Sequence, residues 1–213
     1  WSASTRVTVD AVAGHDVGRE CWLTTVNGTP AISYEDAGGG LNLLKYAHSS
    51  TPEGTSAGDW TKVTVTSADN PQYTSLLEVE GAPAIAYKRE NGVALIYRRA
   101  SSASGNSSAD WDSGTNLIIA QGGPVGAFAS LNIVNGHPAV THGSYSTPFA
   151  LYYLEAGTAT GSTNQAWVDG ISETADSGES SLGEWMECAV CAGRPIAVYR
   201  GSSNQLVRYA VRF

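Results

Sequence analysis

Lysine occurs three times in this chain, methionine once and cysteine three times, and charged residues make up only 15% of it. So few charges argue against a coiled coil, and 42% hydrophobic residues argue against a disordered segment. Basic side chains are scarce relative to acidic ones, 12 against 20, for a formal charge of −8 and a pI near 4.9. That balance argues against binding to a nucleic-acid backbone. No apolar run approaches the length of a membrane helix, so membrane insertion is not expected. Trp1-Ser2-Ala3-Ser4 carries neither the basic nor the apolar segment of a signal peptide, and the chain reads as soluble. Cys21, Cys188 and Cys191 are an odd set in a chain too large to need staples. On one strand Cys188 and Cys191 would point to opposite faces and could not bridge, which leaves either of them free to meet Cys21. The four histidines, His15, His48, His137 and His142, show no ligand spacing, so neither a metal nor another cofactor is expected. No Gly-x-Ser-x-Gly elbow, phosphate loop or His-Glu-x-x-His is present, and esterase, nucleotide and zinc-peptidase chemistry have no support.

What the chain does have is repetition. Gly28-Thr29-Pro30-Ala31-Ile32-Ser33-Tyr34 returns as Gly81-Ala82-Pro83-Ala84-Ile85-Ala86-Tyr87 and as Gly136-His137-Pro138-Ala139-Val140-Thr141-His142, with a degenerate copy at Gly193-Arg194-Pro195-Ile196-Ala197-Val198-Tyr199. The prolines at 30, 83, 138 and 195 set steps of 53, 55 and 57 residues. A second marker follows in each copy: Leu44-Lys45-Tyr46, Leu95-Ile96-Tyr97, Leu151-Tyr152-Tyr153 and Val207-Arg208-Tyr209. A third closes the first three, where a Gly/Ser-rich stretch ends in Asp59-Trp60, Asp110-Trp111 and Ala166-Trp167. Asn27-Gly28 and Asn135-Gly136 between apolar runs are hairpin signals, because such turns demand positive φ. The second strand of a copy, such as Ala84-Ile85-Ala86-Tyr87, is apolar on both faces and therefore predicts a sheet covered on both sides.

The last copy runs out at Phe213, one strand short. Thr5-Arg6-Val7-Thr8-Val9 matches Thr61-Lys62-Val63-Thr64-Val65, with Trp1 upstream much as Trp60 is, so the N-terminus supplies the missing strand. This predicts an all-β, single-domain, four-bladed β-propeller of four-stranded blades, near 19–66, 72–120, 127–171, and 183–213 plus 1–10, its ring closed by the N-terminal strand. Ser181 and Glu184 have the spacing of a helix-capping box, but repeat register favours a strand there, with Trp185 aligned to Tyr73 and Phe128.

These markers resemble the degenerate sialidase-like (Asp-box type) repeats of bacterial and phage propellers, whose units carry a Gly-x-Pro-Ala-Ile-x-Tyr strand, a Leu-x-Tyr strand and a late Trp. The resemblance covers nearly the whole chain and is specific for a blade type. The Asp-box proper, Ser-x-Asp-x-Gly-x-x-Trp, survives as eroded versions in Ser56-Ala57-Gly58-Asp59-Trp60 and Ser107-Ser108-Ala109-Asp110-Trp111.

Loops leading into each inner strand share one face with the loops between second and third strands, and ligands of a rigid repeat frame usually bind there. The repeat map gathers His15, Asp16, Arg19, Glu20, Gln72, Tyr73, Glu184 and Trp185 on that face, with Glu35, Asp36, Lys88, Arg89, Glu90, Tyr145 and Arg200 beside them. His142 stands beneath, where the other copies have Tyr34, Tyr87 and Tyr199. The candidate ligand-binding set is Arg19, Glu20, Glu35, Arg89, His142, Tyr145, Glu184, Trp185 and Arg200. Aromatics, carboxylates and arginines together suit stacking a sugar ring and binding its hydroxyls or a carboxylate. The expected function is a non-catalytic recognition or structural propeller, extracellular or virion-borne, with a glycan or protein partner. The alternative is a small sialidase-like glycoside hydrolase, whose two carboxyl groups no linear spacing identifies.

Overall fold

The computed structural model describes residues 6–212 apart from 92, 124, 145, 148, 178–181 and 202–205, with residues 41 and 182–185 described as strand backbone. The described strands form four antiparallel sheets, each a simple meander. The first is β1 (Asp16–Val26), β2 (Thr29–Gly38), β3 (Leu41–Ser49) and β4 (Trp60–Thr66). The second is β5 (Pro71–Val79), β6 (Ala82–Arg89), β7 (Ala94–Arg99) and β8 (Thr115–Gln121). The third is β9 (Ala127–Val134), β10 (His137–Gly143), β11 (Ala150–Glu155) and β12 (Ile171–Ser177). The fourth is β13 (Leu182–Cys191), β14 (Arg194–Gly201) and β15 (Leu206–Val211), so Glu184, the second residue of the capping-box spacing, lies in a strand, while Ser181 lies outside the described residues. Each first hairpin turns through two residues of positive φ: Asn27-Gly28, Glu80-Gly81, Asn135-Gly136 and Ala192-Gly193. That geometry matches the strand twist. No helix among the described residues is long and apolar enough to cross a membrane.

The inner strands follow one another, β1 beside β5, β5 beside β9 and β9 beside β13. Apolar clusters fill the spaces between sheets. Tyr46 and Val65 meet Leu76, Ile85, Tyr87 and Trp111 between the first and second. Ala86, Leu95 and Tyr97 meet Leu131, Val140 and Trp167 between the second and third. Leu151 and Phe128 meet Met186, Ala197 and Tyr199 between the third and fourth. Strand β6 is buried on both faces for this reason, and burial of a large apolar side chain such as Ile85 contributes about 1.5–3 kcal/mol.

The repeat markers acquire a physical role here. The Leu-x-Tyr tyrosine of one sheet packs on the late tryptophan of the next, Tyr46 on Trp111 at 5.3 Å and Tyr97 on Trp167 at 5.2 Å between centroids. Each tryptophan follows or sits in a short helical turn. Two of these turns, Ala57–Asp59 and α1 (Ser108–Asp112), begin with a complete capping box, Ser56 with Asp59 and Ser107 with Asp110. The third, α2 (Asn164–Val168), is capped by Thr163 alone. The acids left from the Asp-box are thus engaged with helix-turn amides.

Among the described residues the fourth sheet has three strands, and residues 6–12 belong to no sheet. Val7 and Val9 pack on Ile32, Tyr34 and Trp60 of the first sheet, while Asp10 accepts a hydrogen bond from Tyr34 Oη and ion-pairs with Lys45. Val207 and Tyr209 of β15 stay 84% and 72% exposed. Trp1 and Thr5 lie outside the described residues. All three cysteines are free thiols, Cys188 buried and the other two exposed.

Candidate functional site

The inner strands are bulged at corresponding places. Register breaks fall between Arg19 and Trp22 in β1 and between Gln72 and Ser75 in β5, and each holds a non-glycine residue at positive φ, Glu20 and Tyr73. Phe128 does the same in β9, and β13 breaks register between Glu184 and Glu187. A bulge re-aims one side chain out of the pleat, and here it does so once per repeat.

Polar contacts lace these bulges across the sheets. Tyr73 N donates to Glu20 Oε2 at 3.0 Å and Thr74 Oγ1 to the Glu20 carbonyl at 2.9 Å. Ser33 and Thr74 hydroxyls are 2.9 Å apart, Leu131 N donates to Ser75 Oγ, and Cys188 N donates to Ser130 Oγ. The result is a crown of fixed backbone carrying Glu20, an aromatic pair, and a cation. Tyr73 and Phe128 rings lie 4.5 Å apart, and Lys88 Nζ sits 5.8 Å over Tyr73 while bonding Gln72 Oε1 and pairing with Glu90.

Glu35, on β2, is 1% exposed, and neither carboxylate oxygen accepts a hydrogen bond. Its nearest cation is Arg19 Nε at 3.7 Å, shared with Asp16. Burial raises the Glu35 pKa; Arg19 opposes this, and the charges of Glu20 and Asp16 reinforce it. Arg19, Glu20 and Glu35 therefore form one electrostatic unit. Alongside it, His15 Nδ1 meets Asp36 Oδ1 at 2.7 Å, and Lys45 lies 3.5 Å from Asp36 Oδ2.

The other predicted residues are placed differently. Arg89 ends β6, opposite Pro71 and Ala94, and its Nε has no hydrogen-bond partner. His142 lies fully inside β10, stacked on Tyr152 at 5.1 Å, with Nδ1 accepting the Gly126 amide. Arg200 pairs with Glu184 and Val207 in strand register. Tyr145 lies outside the described residues, as do the side chains of Glu184 and Trp185. Phe128, absent from the predicted binding set, could have been found by its offset from the repeat proline, the same as that of Tyr73.

No protein-family model matches the chain, and no curated protein matches it in sequence. Solved structures do match in fold. An α-L-arabinofuranosidase from Lactobacillus brevis superposes with a TM-score of 0.56 at 11% identity, over 90% of this chain and 72% of that one. An endo-arabinase from Bacteroides thetaiotaomicron gives 0.55 at 14% identity, over 89% and 72%. A Trypanosoma rangeli sialidase gives 0.54 at 11% identity, over 85% of this chain but 28% of the sialidase. The chain thus shares the β-propeller fold of carbohydrate-active proteins.

Proposed function

We propose that the protein is a carbohydrate-recognition propeller that holds a glycan on the crown without cleaving it. The observation that carries this reading is the Tyr73–Phe128 pair beside Lys88 and the Arg19–Glu20–Glu35 unit: a ring platform next to charged groups able to bind hydroxyls or a carboxylate. Structural neighbours that are an arabinase, an arabinofuranosidase and a sialidase support a sugar as the partner. A glycan array tests it: reproducible binding to one sugar class, lost on Tyr73→Ala, is the expected result, and a blank array sinks the reading.

One observation favours a second reading, a small glycoside hydrolase. Burial raises the Glu35 pKa, the direction a general acid requires, and the Glu20 and Asp16 carboxyl groups act on it in the same direction. Turnover of labelled arabinosides or sialosides that disappears with Glu35→Gln would establish it against the first.

We also propose that the ring closes through the N-terminus, residues 6–10 completing the fourth sheet. Val7 and Val9 meet Ile32 and Tyr34 as Val63 and Val65 meet Ile85 and Tyr87, which supports an outer-strand role.

A further inference from the structure

Three of the four sheets close the space toward the preceding outer segment with a tyrosine hydroxyl bonded to an aspartate: Tyr34 to Asp10, Tyr87 to Asp69 and Tyr199 to Asp176. In the first and fourth a cation from the third strand joins the same aspartate, Lys45 on Asp10 and Arg208 on Asp176. The third sheet abandons the arrangement at every position. His142 replaces the tyrosine, and Tyr152 replaces the cation. The two places from which an aspartate reaches in are also emptied. Asp176 lies opposite Leu151, where the second sheet puts Ala120 opposite Leu95. Asp69 lies three residues beyond Thr66, where the second sheet has Gly123 three beyond Ala120.

The joint substitution leaves a cavity of about 550 Å³ between the second and third sheets, lined by Ala120, Gln121, Gly123, His142, Tyr152 and Ser172 among others. None of the described residues that line it is an Asp, Glu, Lys or Arg. Burial pushes the His142 pKa down to about 4, so the ring is neutral. Its Nδ1 accepts the Gly126 amide, which leaves the proton on Nε2. A charged ligand would find no counter-charge here. A wholly apolar one would strip water from an amide, a hydroxyl and an imidazole N–H without replacing the hydrogen bonds.

We propose that this cavity is a binding site for a neutral saccharide, its hydroxyls met by Gln121, Ser172 and His142 and its C–H face by the Tyr152 ring. The site is separate from the crown and does not depend on it.

The test is a titration of the whole chain with xylobiose, arabinobiose, lactose and galacturonic acid, followed through the imidazole ¹H–¹⁵N signals of the four histidines. A neutral disaccharide should shift His142 while leaving His48 and His137 in place. Gly123→Asp should weaken that binding at least tenfold. A Cβ at Gly123 meets nothing within 4 Å, so this variant has room to fold. Tyr152→Ile, which installs the residue the second sheet uses at Ile96, should weaken it as well. Unchanged thermal melts establish that both variants are folded. The proposal fails if no neutral sugar moves His142, if Gly123→Asp binds as the parent does, or if galacturonic acid binds more tightly than the neutral sugars. A shift confined to His15 would place the sugar on the crown, overturning this site while supporting that one.

Discussion

At the scale of single residues, the informative groups are those the fold holds in an uncomfortable state. Glu35 is the first. Its pKa is raised, so the folded protein prefers the protonated acid, and stability present below the unfolded pKa is lost as pH rises through the folded one. Gln mimics the protonated form. Glu35→Gln should therefore match the parent near pH 4 and be more stable at pH 7, by on the order of 1 kcal/mol for a buried group without hydrogen bonds, in urea melts at the two pH values. Loss of its ion pair with Arg19, which is half exposed, costs little. His142 runs the other way. Its pKa is lowered from 6.5 to about 4, so between those values the unfolded chain takes a proton that the folded chain refuses. Stability should fall by up to about 3 kcal/mol as pH drops across that window, and His142→Gln, which keeps an acceptor for Gly126, should lose the slope. Sequence reading flagged both residues, His142 because it breaks the repeat and Glu35 by its place on the loop face. Burial could not be read, since it depends on which neighbours cover each strand.

Among elements, the recurring unit is a brace of glycine, proline and tryptophan. Trp60, Trp111 and Trp167 each donate Nε1–H to the carbonyl of a glycine six residues earlier, Gly54, Gly105 and Gly161, at 2.9–3.0 Å. All three glycines have positive φ, and a Cβ on Gly105 would lie 2.8 Å from Pro83 Cγ and 3.2 Å from Trp111. Gly105→Ala adds backbone strain to overpacking and should destabilise by about 2–4 kcal/mol. Gly123→Ala, with open space and no left-handed backbone, should change stability by less than about 0.5 kcal/mol, and a pair of thermal melts compares them. The proline, tyrosine and tryptophan markers were legible because each is fixed by this packing and so recurs at one offset. The capped helical turns before the tryptophans were not, because Ser-rich stretches read equally well as loop. The bulges left no glycine to mark them: Glu20, Tyr73 and Phe128 all adopt positive φ, and Glu20 and Tyr73 are tied together there by tertiary hydrogen bonds.

For the whole molecule, the question is what meets the free edge of the fourth sheet. β15 pairs only with β14 among the described strands, and its Val207 and Tyr209 stand exposed where their counterparts Leu95 and Tyr97 are buried. The N-terminal segment, meanwhile, already occupies an outer-strand seat on the first sheet, with Asp10 taking the Tyr34 hydroxyl as Asp176 takes that of Tyr199. Repeat matching assigned this segment to a last blade; it could not see that Val7 and Val9 find apolar cover on the first sheet while, among the described residues, β15 pairs with β14 alone. In the first sheet Lys45 pairs with Thr64 and Tyr46 with Val63, which puts Thr8 opposite Arg208 and Val7 opposite Tyr209 in a completed fourth sheet. Cross-strand neighbours at that spacing suit a disulfide. A Thr8→Cys, Arg208→Cys chain, with Cys21 and Cys191 changed to Ser, should therefore oxidise to an internally linked monomer on mild treatment. In the same closed ring Tyr209 is covered, so Tyr209→Ser should cost about 1–3 kcal/mol instead of the near-zero change of a surface site. Thiols that stay unlinked, together with a silent Tyr209→Ser, would mean that the ring stays open at this seam; disulfides that form only between chains would mean that β15 pairs with a second copy.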